Sequence, residues 1–87
     1  MKFFIQFSVS QASAEKIGID LKKRYLCNVQ SQDSLQNFVS IYVVEFNSIF
    51  VMEVKEINFI NNKMVFHGWL NYNSEYLCQC VAELFND

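Results

Sequence analysis

The stretch FVSIYVVEFNSIFVMEVKEINFINNKMVFHGWLNY, Phe38 to Tyr72, decides the fold. It is dense in Val, Ile, Phe and Tyr, the residues that favour a pleated, half-buried backbone. Two polar breaks divide it. Asn47-Ser48 is a turn candidate. Asn61-Asn62 tolerates positive φ and suits a tight hairpin. The pattern predicts three antiparallel strands in a meander, Phe38–Phe46, Ile49–Ile60 and Met64–Tyr72. The middle strand is long enough to expect a bend or bulge between Glu53 and Glu56.

The flanks supply the rest. Lys2 to Val9 alternates Phe3, Ile5, Phe7 and Val9 with Phe4, Gln6 and Ser8, which predicts another strand. A helix follows, capped by Ser10 or Ser13, with Ala14, Ile17, Leu21 and Tyr25 as its apolar stripe. Lys22, Lys23 and Arg24 fall in its last turn, where cations match the helix dipole. Lys16, Asp20 and Arg24, four apart, can pair along its exposed side. A second helix begins at Asn73 or Ser74 and buries Leu77, Cys80, Val81, Leu84 and Phe85. The predicted order is β-α-β-β-β-α. The predicted class is α+β, a two-layer sandwich with both helices on one face of an antiparallel sheet. The point where the first strand joins the sheet is left open. The 87 residues suit a single domain.

Two-residue turns at both breaks sort the meander into two faces. One gathers Phe38, Tyr42, Val44, Phe46, Ile49, Val51, Ile57, Phe59, Met64, Phe66, Leu70 and Tyr72, and is assigned to the helices. The other gathers Val39, Ile41, Val43, Phe50, Met52, Val54, Ile60, Val65 and Trp69 with Glu45, Glu56, Asn58, His67 and Asn71. With 52% hydrophobic residues, the chain carries more apolar surface than one small core hides. The second face is therefore the expected interaction surface, with Glu45, Phe50, Glu56, His67, Trp69 and Asn71 as the contact residues. The polar interval Cys27 to Asn37 is the part of the chain that can cover it instead.

Charge narrows the function. The net charge is −2, and the distribution is uneven. Met1–Gln32 holds five basic and two acidic residues, and Asp33–Asp87 holds two and seven. That balance argues against nucleic acid as partner, because phosphate binding needs clustered Lys and Arg. No run approaches the roughly 20 apolar residues of a membrane span. Lys2-Phe3-Phe4-Ile5 ahead of Ala12-Ser13-Ala14 imitates a secretory signal, but Gln6 and Ser8 break it and the segment is too short. Cys27, Cys78 and Cys80 are odd in number, so free thiols in a reducing cytoplasm are expected.

Chemical motifs are sparse. His67 is the sole histidine, and the assumed register sets it opposite Glu56, an ordinary cross-strand pair. Cys78-x-Cys80 points to opposite sides of a helix and makes no zinc pair with Cys27. With Gly18 and Gly68 as its only glycines, the chain has no phosphate-binding loop. No catalytic residue, metal or cofactor is expected. The expectation is a small acidic, non-enzymatic protein that binds another protein with a basic surface and occludes it. Immunity proteins, antitoxins and phage-encoded inhibitors share that profile. A homodimer packed through the second face is the alternative. A small ribonuclease-like enzyme comes third, weakened by a single Arg and a single His.

Overall fold

Ser10 closes the first strand and opens the first helix. Its Oγ accepts the Ser13 N–H at 3.1 Å, filling one of the donors that a helix start leaves unpaired. The computed structural model describes residues 3–30 and 37–85. Along it run β1 (Phe3–Ser10), α1 (Gln11–Lys16), α2 (Leu21–Gln30), β2 (Phe38–Val43), a 3-10 turn (Val44–Phe46), β3 (Ser48–Ile60), β4 (Lys63–Tyr72) and α3 (Glu75–Leu84). The class is α+β. The four strands form one antiparallel sheet in the order β1-β4-β3-β2. The meander is as predicted, and β1 joins it beside β4.

The single helix predicted after β1 is two. Gly18 stops α1 with φ +85. The Ile19 N–H reaches back to the Ala14 carbonyl at 2.9 Å, and the Gly18 N–H to that of Glu15 at 3.0 Å. This is the Schellman closure, sealed by an apolar contact between its two ends. Ile19 and Ala14 are accordingly both buried, while Ile17, predicted in the stripe, is exposed. Asp20 then starts α2, its Oδ1 accepting the Lys23 N–H at 3.0 Å. Two corrections follow. Lys22, Lys23 and Arg24 lie in the first turn of α2, not the last turn of a helix. The Lys16–Asp20–Arg24 ladder has no continuous helix to run along, and Asp20 binds backbone instead. Of the polar interval, Cys27 to Gln30 is helical, and residues 31–36 lie outside the described residues.

The Asn61-Asn62 hairpin forms as predicted, with φ of 52 and 63 and Ile60 opposite Lys63. The other connection is longer than two residues. Val43 pairs with Ser48, and Val44–Asn47 form the loop, Asn47 taking φ 45. That moves β2 four places along β3, an even number, so its faces are unchanged. The bulge matters more. Val54 pairs with Gly68 and Glu56 with His67, which leaves Lys55 as the extra residue. One extra residue reverses the alternation. Ile57 and Phe66 keep the face assigned to the helices, but β2 and the front half of β3 are inverted. Val39, Ile41, Val43, Phe50, Met52 and Val54 are buried in the core. Phe38, Tyr42, Ile49 and Val51 turn to the other side.

The core lies between this inner sheet face and the helices. Phe50 and Phe66 are fully buried there with Leu21, Val81 and Phe85. Phe7 meets Phe85 edge-on at 5.7 Å, and Tyr25 meets Phe66 at 6.0 Å, which ties α3 and α2 to the same side. Each such side chain contributes roughly 1.5–3 kcal/mol by leaving water. Ser74 caps α3 by accepting the Leu77 N–H at 3.3 Å. The stripe of α3 is rotated from the predicted one. Cys78, Val81 and Phe85 are buried, and Cys80 is only half-buried.

Candidate functional site

The outer sheet face is built from alternate residues of all four strands. Phe4, Asn71, Val51 and Ser40 make one row, Gln6, Trp69, Glu53 and Phe38 the next, and Ser8, His67 and Glu56 a third. Tyr42 and Ile49 extend it past the first row. Among the described residues the face is open, and it mixes apolar and aromatic side chains with polar ones. Ile49 is 60% exposed, Phe4 55%, Tyr42 44% and Trp69 40%. The buried sides of all three helices belong to the core on the opposite side.

Four of the six predicted contact residues, Glu56, His67, Trp69 and Asn71, lie on this face. Phe50 does not. It is fully buried beneath the helices, stacked 4.2 Å from Tyr72 and 6.4 Å from Phe46, because the bulge turned its half of β3 inward. Glu45 sits in the 3-10 turn rather than on a strand, exposed at the sheet's end. Phe4 and Ser8 were missed because the place of β1 was open. Phe38, Tyr42, Ile49, Val51 and Glu53 were missed because strict alternation was carried through the bulge.

The charged groups are few. Lys55 Nζ lies 2.6 Å from Glu53 Oε1, an exposed pair worth about 0–1 kcal/mol. Glu56 adds a second carboxylate beside His67. Ser8 Oγ lies 2.8 Å from His67 Nδ1. On the far side of that ring Nε2 is buried with no partner among the described residues, and so is Asn71 Oδ1 further along β4. A buried polar atom left unsatisfied costs roughly 1–3 kcal/mol. Both atoms belong to side chains of the open face, flanking Trp69 along the strand.

A hydroxyl beside an imidazole is half of a nucleophilic site. The other half is a set of donors aimed at a developing oxyanion, within a cleft. Ser8 and His67 instead face each other across two extended strands, and Ser8 bonds the nitrogen that an orienting carboxylate occupies in a triad. The two side chains form a cross-strand contact between β1 and β4. Burial and the nearby Glu75 push the Cys78 thiol up from its ordinary value, so it is a poor nucleophile. Cys27, Cys78 and Cys80 are all free. Among the described residues, no group of three His, Cys, Asp or Glu is placed to hold a metal ion, and no helix is long and apolar enough to cross a membrane. Compared with protein-family models, curated proteins and solved structures, the chain gives no match in any of the three.

Proposed function

We propose that this chain is a small acidic binding protein that lays its outer sheet face on another protein and occludes the surface it covers. The observation that carries the proposal is the set of large apolar side chains exposed on one face, with Trp69 at its middle and Phe4, Tyr42 and Ile49 around it. Exposed aromatic and aliphatic side chains set among polar ones in this way mark an interaction surface. Aromatic anchors near the centre of a patch supply most of the energy of protein–protein contacts. Glu53 and Glu56 stand among them, with Lys55 beside Glu53 and Lys63 at the hairpin end, and the whole chain carries −2. A partner with a basic surface therefore gains on approach as well as on contact. The same carboxylates work against pairing with a second copy, where they would meet each other.

The test is a tagged pull-down from the native host, eluted across a salt gradient and identified by mass spectrometry. The expected result is one stoichiometric partner with a basic surface, released at high salt. It is lost from Trp69→Ala and Glu56→Lys baits that keep the wild-type circular dichroism spectrum. Recovery of bait alone, running as a dimer, would overturn the proposal. Partner capture unchanged in both variants would remove the outer face from it.

A further inference from the structure

Another exposed feature of the molecule is the edge of the sheet at β2. Among the described residues β2 is an edge strand, with β3 on one side only. The Val54 N–H donates to the Asn37 carbonyl at 2.8 Å, which fixes the phase of the ladder. Alternation then turns Val39, Ile41 and Val43 toward β3 and leaves the N–H and C=O groups of Phe38, Ser40 and Tyr42 pointing outward. Arg24 confirms the direction, since its Nη1 reaches the Ser40 carbonyl from outside at 3.1 Å. A groove of about 610 Å³ runs along this edge, with Lys23, Arg24 and Cys27 of α2 on one wall and Phe38, Val39 and Ser40 of β2 on the other.

The charge of the groove is that of α2. Lys22, Lys23 and Arg24 crowd its first turn, where the helix dipole already presents positive charge and each cation costs rather than stabilises. Asp20 lines the same groove and keeps its charge while accepting from the Lys23 N–H and from Gln11 Nε2 at 3.2 Å, so Lys23 and Arg24 stand against one carboxylate and the wall keeps a net positive charge. A groove beside an unpaired strand edge, with a positive wall opposite, fits one kind of occupant. We propose that an extended acidic peptide of another protein adds as a fifth strand to β2 and sets a carboxylate against Lys23 and Arg24.

Strand addition of this kind takes its affinity from main-chain hydrogen bonds and its selectivity from the side chains lining the groove. The outward groups from Phe38 to Tyr42 span about five residues, some 17 Å of extended chain. Arg24 holds the Ser40 carbonyl in the free protein, which blunts the edge against unwanted pairing. An incoming peptide N–H replaces it, and the guanidinium is released to the peptide carboxylate. This site shares Phe38, Ser40 and Tyr42 with the outer face but not Trp69, so the effect of Trp69→Ala tells the two apart.

The test starts from a displayed library of random ten-residue peptides selected on the full chain. Enriched sequences are made with a fluorescein label and measured by anisotropy. Enrichment of extended, acidic peptides is expected. Ser40→Pro removes an outward N–H and leaves the β3 ladder intact, as proline is tolerated on the open side of an edge strand. It should weaken binding at least tenfold, while Trp69→Ala leaves it unchanged. Changing the peptide's acidic residue to lysine should weaken binding at least fivefold, and Lys23→Glu should restore that loss. The charge swap stands as a test even if Ser40→Pro fails to fold. No enrichment, equal affinity for Ser40→Pro, or failure of the charge swap would overturn the proposal. So would a dimer of the free chain that Ser40→Pro dissolves, since a second copy would then own the edge.

Discussion

Replacing Gly68 by alanine is the most direct challenge to the geometry of the sheet. Gly68 lies on the inner face of β4, opposite Val54, where the bulge presses β3 toward it. A Cβ added there overlaps the Glu53 carbonyl oxygen outright and comes within 2.9 Å of the Glu53 carbonyl carbon and 3.1 Å of Val54 Cα. These are main-chain atoms, so no rotamer change relieves the clash. β3 must move by roughly an ångström at its most constrained point. Overpacking costs 1–3 kcal/mol even where side chains can give way, and distorted backbone angles add to it, so about 3 kcal/mol or more is expected. A chain of 87 residues has roughly 4–13 kcal/mol in total. At about 4–8 °C per kcal/mol, the melting temperature should fall by about 12–24 °C in scanning calorimetry. Gly18→Ala is the control, because a Cβ there meets nothing within 4 Å and carries only the strain of φ +85, about 1 kcal/mol. A Gly68→Ala protein melting within a few degrees of wild type would refute both the close approach and the placement of the bulge.

Other outcomes separate the buried core from the exposed surface. Phe50→Ala should cost about 3–5 kcal/mol in urea unfolding, whereas Phe59→Ala, 73% exposed, should stay within about 0.5 kcal/mol; equal effects would return Phe50 to the surface. Trp69→Ala should bind poorly to the partner yet melt close to wild type. Cys27 is exposed and Cys78 buried, so a thiol reagent at neutral pH should modify Cys27 first and Cys78 only on unfolding. The Cys78 thiol sits above its unfolded value, so its contribution to stability is complete below roughly pH 8.5 and is lost as pH rises past it. Cys78→Val, similar in volume, should flatten the alkaline decline in melting temperature; an unchanged slope would show that the buried thiol does not set it.

Features encoded in a few neighbouring residues were legible in the sequence. Asn61-Asn62 demanded a turn with positive φ, and that turn alone sets Glu56 against His67. The break at Gly18 was less visible, because glycine in a helix and glycine ending one look alike until Ile19 is known to be buried. The bulge was expected in the right place, but its effect on the faces was not counted. Gly68 held the clue, since a glycine inside a strand often marks a bulge or a close backbone approach. The contact of Ser8 with His67 was beyond reach. It joins residues 59 apart and depends on β1 docking beside β4, which nothing local to either strand dictates.

The bulge at Lys55 has a consequence for how this chain tolerates changes in length. Ahead of it, each side chain of β3 belongs to the core or to the open face by whether its distance from Lys55 is odd or even. Inserting or deleting one residue between Ser48 and Val54 would exchange Phe50 and Met52 for Ile49 and Val51, and swap the buried set with the exposed set in one step. Two-residue changes would keep each set in place. Viable length variants of this hairpin should therefore differ by even numbers, or carry a second bulge that restores the count.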